Sequence, residues 1–363
     1  MIRDHNTVRV AARAIDVGYF NTKFTLGRRP HGDSSIIATR MVPSLAPMLS
    51  KEALAGTRTS QQMEGCAVEV DGAHYYVGPD ATHNMSAMEP RSISEDYCMT
   101  AEYLALVRGA LHAMSMDAGA AAQDELVIGR LVLGLPLNTI GNYRERLIAR
   151  VRGEHVAGAG EPGVPGAGTR RITIENVHVV PQPRGALLDH GVANGGQMEG
   201  WTLVVDPGGG TLDWFLASKS KPNYQRSGAY PKGMLACAYA VADDINPSWR
   251  HNLVVIERID KAIREGAETF RAEGVDYQVA DFMPKVNAVI GQAVSTMLAK
   301  LGSTVDVDQI LLTGGGAKVY RAYLAAHRPN LEPMIQMGGD PVFANVRGFQ
   351  IYGEIQQTRT VRQ

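Results

Sequence analysis

Residues 203–213 read LVVDPGGGTLD, an apolar run that ends at Asp206 and continues through three glycines to a second aspartate, Asp213. Three consecutive glycines let the backbone approach a ligand that any Cβ would exclude. A plain Gly-rich connecting turn is the alternative, although such turns rarely carry acidic residues at both ends after an apolar strand. The stretch therefore predicts a ligand-binding turn at the end of a buried strand.

An earlier stretch, DVGYFNTK at residues 16–23, repeats this design. We expect strands over Val8–Ile15 and Lys23–Leu26, which makes the pair a hairpin. Asp16 at the strand end can hold a hydrated magnesium ion, while N–H groups of the turn face phosphate oxygens and Lys23 reaches the β- and γ-phosphates. A hairpin with an exposed lysine is the alternative. The repetition of one design in two places favours a shared phosphate ligand.

A third glycine turn follows the predicted strand Gln309–Leu312, in the stretch ILLTGGGA at residues 310–317. The residues after it, Lys318–Ala326, have helical character. Glycines between a strand and a helix N-terminus direct unpaired N–H groups toward an anion and leave a flat floor for a base or a ribose. A simple strand-to-helix turn remains the alternative.

Between these turns, strands alternate with helices, which predicts an α/β fold. Apolar spacing predicts a helix over Glu102–Met114, and Pro136 ends a strand over Leu131–Leu135 before a helix that Asn138 is expected to cap. Further strands are predicted at Ile172–Val180 and Trp201–Val205. The stretch Ala157–Gly168 is Gly/Pro-rich and predicts a loop; it lacks the Gly-Lys-Ser/Thr ending of a phosphate-binding P-loop.

Length and composition set the outer limits. The chain has 363 residues, of which 45% are hydrophobic and 20% charged, and this balance predicts a globular protein of about two domains. A net charge of −1 argues against broad nonspecific nucleic-acid binding, so any contact with DNA is expected to be local or made through a partner. Three widely spaced cysteines support neither a disulfide framework nor a zinc site. With no predicted secretory signal or membrane span, we expect a soluble, cytoplasmic protein.

The three turns in this order, followed by Asn345-Val-Arg-Gly-Phe349, resemble the actin-type ATPase superfamily, and the sequence is similar to bacterial plasmid-segregation actins such as ParM and StbA. The resemblance spans Asp16 to about Gly353. It implies an actin-like (ribonuclease H-like) α/β fold of duplicated domains with a nucleotide cleft between them. Residues 1–190 plus 341–363 are the expected first domain, with the first phosphate turn and the C-terminal helix. Residues 191–340 are the expected second domain, with the second phosphate turn and the adenosine turn.

The resemblance also implies roles for individual residues. Asp16 and Asp206 are expected to be catalytic and to hold Mg²⁺, through water, and Gln182 in the segment VVPQP is expected to orient the attacking water, which a glutamine can do without acting as a strong base. A polar residue in a proline-rich turn is the alternative for Gln182. The residues expected to bind the nucleotide are Gly18, Tyr19, Phe20, Asn21, Thr22 and Lys23 in the first turn, Gly208, Gly209, Gly210 and Thr211 in the second, and Gly314, Gly315 and Gly316 in the third.

By resemblance, the expected function is that of a nucleoside triphosphatase that binds Mg-ATP, or GTP, and polymerises into filaments. Plasmid DNA would be moved through a DNA-binding adaptor protein, with no membrane involved. The sequence departs from the family pattern at Phe20, a position that is often small in relatives, and at Pro207, which replaces a usual aliphatic residue. It also has Gln182 where a glutamate is common in bacterial segregation actins. A non-polymerising ATPase of the same fold, such as a small-molecule kinase or a chaperone-like switch, is the alternative.

Overall fold

Two mixed β-sheets organise the chain, and each contains a strand whose next-to-last residue is an aspartate, Asp16 or Asp206. The computed structural model describes residues 7–50, 63–85, 91, 94–120, 124–158, 169–196, 199–219 and 221–361. The strands are β1 Thr7–Val17, β2 Asn21–His31, β3 Ser34–Pro43, β4 Cys66–Val70, β5 Ala73–Val77, β6 Glu125–Leu135, β7 Gly153–Ala157, β8 Arg170–Pro181, β9 Trp201–Pro207, β10 Leu212–Ser218, β11 Lys221–Pro222, β12 Gly228–Tyr230, β13 Thr269–Ala272, β14 Val275–Gln278, β15 Gln309–Leu312 and β16 Ile335–Met337. The α-helices are α1 Ala101–Asp117, α2 Ile140–Val151, α3 Gln182–Ala193, α4 Met234–Ile245, α5 Leu253–Glu265, α6 Val279–Leu301, α7 Ala317–His327 and α8 Ala344–Val361.

The first sheet has the strand order β3-β2-β1-β6-β8-β7. β1 pairs antiparallel with β2 and parallel with β6, and β6 pairs parallel with β8. The second half of β1, from Ala12 to Val17, is buried throughout. Continuous burial of this kind is typical of a strand covered on both faces of its sheet.

The second sheet repeats this arrangement, in the order β11-β10-β9-β15-β16 with β12 also paired to β10. β9 pairs antiparallel with β10 and parallel with β15. In both sheets, therefore, an antiparallel hairpin carries the acidic turn, and a parallel neighbour lies on the other side of its first strand. The two sheets are the centres of two α/β domains, as the sequence predicts.

Helices α3 and α8 lie between the sheets. Ala186 and Leu187 of α3 pack with Val204 and Phe215 of the second sheet. Val346 and Phe349 of α8 pack on the first sheet, in a cluster with Ala14, Val132 and Val180. The helices cross closely, because a Cβ on Gly185 or Gly348 would overlap the backbone of the other helix. The outer faces carry the two large cores, one under α1 and one under α4 to α7.

Most predicted elements are confirmed, with longer bounds. The strand predicted at Leu131–Leu135 begins six residues earlier, at Glu125. One prediction is wrong: Asn138 does not cap α2, whose N-cap is Thr139 without a side-chain hydrogen bond. The predicted loop Ala157–Gly168 falls mainly on 159–168, outside the described residues, and Ala157 itself ends strand β7.

The strands of the first sheet lie between residues 7 and 181, and those of the second between 201 and 337. The domain bounds 1–190 with 341–363, and 191–340, stay a prediction. Among the described residues, no helix is long and apolar enough to cross a membrane.

Candidate functional site

The ends of strands from both sheets line a cleft between the two domains. In the first sheet, Asp16 lies at the end of β1, Pro136 follows β6 and Gln182 follows β8. In the second sheet, Asp206 lies at the end of β9 and Gly314 follows β15. Parallel strands place their carboxyl ends at one edge of a sheet, where ligands of open α/β folds bind. The strand order of both sheets therefore brings the three predicted turns to one cavity.

In the first turn, the Asp16 carboxylate accepts hydrogen bonds from a cation and from an amide. Lys23 Nζ donates to Asp16 Oδ2 at 3.1 Å, and Gln182 Nε2 donates to Asp16 Oδ1 at 2.9 Å. Burial by itself lowers the pKa of Lys23, but the carboxylates of Asp16 and Asp206 outweigh it, so that the net pKa is raised. Lys23 is a buried cation that faces both acidic turns. The alternative of an exposed lysine is wrong, since its side chain is only 14% exposed.

The second turn holds two buried carboxyl groups that have only uncharged hydrogen-bond donors. Asn345 Nδ2 donates to Asp206 Oδ2 at 2.6 Å, and Asp213 accepts from Thr211 Oγ1 at 2.7 Å and from the Leu137 backbone N–H at 3.1 Å. Burial raises the pKa of Asp206 to about 6, although Lys23 and Asn345 oppose the shift. Burial, with the charges of Asp206 and Asp16, raises the pKa of Asp213 to about 7.

The two turns touch each other through aromatic rings of the first and glycines of the second. A Cβ on Gly209 would overlap the Phe20 ring, and a Cβ on Gly210 would overlap the Tyr19 ring. The ring of Tyr19 also stacks on Tyr97, with centroids 5.1 Å apart. The absence of side chains at 209 and 210 is thus needed for contact between the domains in this state. The aromatic rings already fill the space beside these two glycines.

The third turn packs against the second. Gly314 has a φ of +76°, and a Cβ there would overlap the Asp206 carboxylate. The Gly316 N–H donates to the Pro207 carbonyl at 3.0 Å, and Gly316 is the N-cap residue of α7. Glycine at 314 is required by both the backbone conformation and the close approach.

All but two of the predicted site residues line the cleft. Those that do are Asp16, Gly18, Tyr19, Phe20, Asn21, Lys23, Gln182, Asp206, Gly208, Gly209, Gly210, Thr211, Gly314 and Gly315. The first exception is Thr22, which is buried with its hydroxyl 2.9 Å from that of Ser44. The second is Gly316, where a Cβ would press on Met234 and Pro207. A direct contact of either residue with a ligand is not supported by this geometry.

Sequence reasoning missed a charged pair that also lines the cleft, Asp260 and Arg264 on α5. Arg264 Nε donates to Asp260 Oδ2 at 2.6 Å, while Asp260 Oδ1 is buried without a partner. The only sequence signal is an acid and a base four residues apart on an amphipathic helix, which is also typical of an exposed surface pair. Arg264 approaches Gly315, so the pair lies beside the third turn.

The donor set fits a magnesium ion held mainly by water and phosphate. Mg²⁺ prefers oxygen ligands and commonly keeps several waters, with one or two carboxylates and the phosphates of its substrate. Asp16 and Asp206 line the cavity from the two sheets, and the charge of each raises the pKa of Lys23. Within the described ranges, no three His, Cys, Asp or Glu side chains come together as a metal cage. These residues suit a metal that arrives with its phosphate ligand.

A family model described as "Actin like proteins N terminal domain" matches residues 14–185, a range that includes the first acidic turn and Gln182. No curated protein matches the sequence.

Solved structures with similar folds cover nearly the whole chain. The actin-like protein Alp7A shares 14% identity over 98% of this chain and 98% of its own, with a TM-score of 0.70. A ParM from a 15-stranded filament of Clostridium botulinum shares 19% identity over 95% of this chain and 99% of its own, with a TM-score of 0.70. Ta0583, an archaeal actin homolog in complex with ADP, shares 17% identity over 95% of this chain and 100% of its own, with a TM-score of 0.67. The chain therefore has the actin-like fold, as the sequence predicts.

Proposed function

We propose that this actin-like chain binds a magnesium nucleoside triphosphate in the interdomain cleft, hydrolyses it, and polymerises into filaments that segregate plasmid DNA through a DNA-binding adaptor. The observation that carries the proposal is that the acidic turns of the two domains line a single cavity, in which Lys23 Nζ lies 3.1 Å from Asp16 Oδ2 and Asp206 also lines the wall. One triphosphate can then contact both domains. ATP is the expected nucleotide, with GTP as a second possibility.

Binding would use the backbone of the turns more than their side chains. Other N–H groups of the two turns would face the phosphates, because glycine-rich turns present such groups to anions. The N–H groups of Gly18 and Gly208 themselves donate to the carbonyl oxygens of Asn21 and Thr211 within their turns. Lys23 would turn from Asp16 toward the phosphates, and Asp16 and Asp206 would hold the water shell of Mg²⁺. The nucleoside would bind beside Gly314 and Gly315 and the Asp260–Arg264 pair.

Hydrolysis would depend on two groups with separate tasks. Gln182, held through its amide by Asp16, would orient a water whose oxygen attacks the γ-phosphorus as the bond to the bridging oxygen breaks. Bound magnesium would neutralise charge on the phosphates. Asp213, which lines the same cavity, would accept the proton of that water as the general base.

Polymerisation would follow from the coupling of the two domains by the nucleotide. A ligand shifts a conformational equilibrium only through contacts that differ between the states, and loss of the γ-phosphate removes such contacts. A head-to-tail contact that does not close into a ring produces a helical filament. The similarity in fold to a ParM that forms a 15-stranded filament supports this part of the proposal. A cytoplasmic location agrees with the three free cysteines.

Phosphate release and sedimentation, measured together at micromolar protein with Mg-ATP or Mg-GTP, test the proposal. We expect nucleotide-dependent pelleting, loss of turnover by at least about a hundredfold in Asp206→Ala, and slow turnover with retained nucleotide binding in Gln182→Ala. Asp33→Asn, an exposed turn carboxylate, is the control and should behave as wild type. Turnover without any sedimentable species would favour a non-polymerising ATPase or kinase. Near-normal turnover in Asp206→Ala would reject the metal role.

A further inference from the structure

A buried arginine outside the proposed reaction, Arg91, contacts both domains. Its Nη1 donates to the carbonyl oxygens of Tyr19 at 3.0 Å, Phe20 at 3.2 Å and Ser44 at 3.2 Å. Its Nη2 donates to Glu257 Oε1. The Arg91 side chain is only 3% exposed. A buried guanidinium is costly unless it is paired, so these contacts define the state in which Arg91 is stable.

The partners of Arg91 belong to the two binding surfaces of the cleft. Tyr19 and Phe20 form the first phosphate turn. Glu257 lies on α5, which Asn252 caps at its start and Gly266 ends in a left-handed conformation. Glu257, Asp260 and Arg264 are three and four residues apart and so share one face of that helix. Arg91 therefore connects the phosphate turn of one domain to the cleft-facing helix of the other.

A ring stack reinforces this connection. The guanidinium carbon of Arg91 lies 4.6 Å from the centroid of the Phe20 ring, a cation–π distance. Phe20 also packs with the core of the second domain, against Gly209. The ring thus contacts both Arg91 and the second acidic turn. A small residue at position 20 could not contact both Arg91 and Gly209, so this contact between the domains would be lost.

An apolar contact joins the same two regions. Leu253, the first residue of α5, is 4% exposed and packs in a cluster with Leu45, Leu49, Tyr76 and Ala81. These four residues come from the segment after β3 and from the β4–β5 hairpin region, in the part of the chain that forms the first domain. Opening the cleft at α5 would expose this cluster to water.

We propose that Arg91 with Glu257, and Leu253 with its cluster, form a clasp that holds the two domains closed across the cleft and slows the release of a bound nucleotide. The slower release of nucleotide rests on the proposed function, whereas the closure of the two domains does not. Arg91 is a positioning residue, because it acts through the phosphate turn and through α5. The ion pair can break and re-form, since Glu257 is 29% exposed.

Glu257→Gln tests the ionic half of the clasp, because it removes the charge opposite Arg91 and leaves the three carbonyl contacts of Arg91 intact. Glu265→Gln, the same change at an exposed position of α5, is the matched control. We expect dissociation of a fluorescent ATP analogue, followed by stopped flow, to be about tenfold faster in Glu257→Gln, since breaking interdomain pairs acts mainly on off-rates. The control should match wild type. Unchanged dissociation in Glu257→Gln, or acceleration only in Arg91→Ala, would overturn the clasp and assign Arg91 to the first turn alone.

Small-angle scattering of the nucleotide-free monomer separates failure of the clasp from failure of the proposed function. Leu253→Ala and Glu257→Gln should each increase the radius of gyration relative to wild type and Glu265→Gln. Circular dichroism shows whether each variant is folded. If wild type binds no nucleotide but the variants open, the proposed function fails and the clasp stands. Identical scattering profiles for folded variants and wild type would refute the clasp.

Discussion

The two acidic turns share a backbone plan and differ in the groups that donate hydrogen bonds to their carboxylates. In the first turn, a lysine and a glutamine pair with Asp16. In the second, Asp206 and Asp213 have only amide, hydroxyl and backbone donors, and burial raises the pKa of both. In the first turn a cation, Lys23, donates directly to the carboxylate, whereas no cation among the described residues donates to the carboxyl groups of the second turn.

This difference suggests that the turns are complementary parts of one site. A bound divalent cation would supply the charge that the second turn lacks. The side chains are complementary as well, because aromatic residues of the first turn rest on glycines of the second. The two turns therefore share a backbone arrangement but not a chemistry. The same substitution at equivalent positions of the two turns should change the stability of the protein by different amounts.

The largest difference is expected between Asp16→Asn and Asp206→Asn in the free energy of unfolding without nucleotide. Removing Asp16 leaves Lys23 buried without its direct partner, which costs roughly 3–5 kcal/mol in comparable pairs. Because Asp206 also faces Lys23, we expect the lower end of this range. Asp206→Asn replaces a carboxyl that burial disfavours in its charged form, so stability near pH 7 should be unchanged or higher.

Urea unfolding of both variants and wild type measures this contrast, and each variant is the matched control of the other. Equal destabilisation by the two substitutions would mean that the turns are electrostatically alike, contrary to the structure.

The next effect concerns pH. The folded-state pKa of Asp213 is about 7, above the unfolded value of about 3.9, so the folded state binds this proton more tightly. The contribution to stability is fully present below pH 4 and is lost as pH rises through 7, on the order of a few kcal/mol in total. Asp213→Asn should remove this part of the decline. Unfolding in urea from pH 5 to 8 tests it, with Asp33→Asn as the control that keeps the wild-type slope; an unchanged slope in Asp213→Asn contradicts the assignment.

The sequence predicted the parts of the site that are encoded locally. Asp206 with its glycines, and Gly314 at the end of the strand Gln309–Leu312, follow from short-range patterns: an apolar run, an acid and residues without a Cβ. Their order along the chain carries the resemblance to the actin-type ATPases, and that resemblance predicted the fold. The partners of those residues were not predictable in the same way, because they meet only after the chain folds.

Asn345 and Arg91 illustrate this limit. Asn345 is separated from Asp206 by 139 positions in the chain, and Arg91 from Glu257 by 166. Arg91 belongs to no pattern of spacing, and the stretch that begins at Asn345 contributes to the resemblance without indicating a partner for Asn345. Each residue acquires its contacts when α8 or α5 is placed beside a turn. The capping prediction for Asn138 failed for a related reason: local propensity allows several cap residues, and the structure places Thr139 at the cap.

The smallest effect tests the contact between the turns. A methyl group at position 209 would overlap the Phe20 ring, so Gly209→Ala should destabilise the protein by about 1–3 kcal/mol, the usual cost of overpacking. Gly141→Ala is the control, because its Cβ would meet nothing within 4 Å. If the overlap with Phe20 is the cause, then Phe20→Ala in the same chain should recover part of the loss, which a double-mutant cycle in urea measures as a coupling energy. Additive effects of the two substitutions would show that the rings and the glycines do not act together, and the complementarity of the turns would then rest on their charges alone.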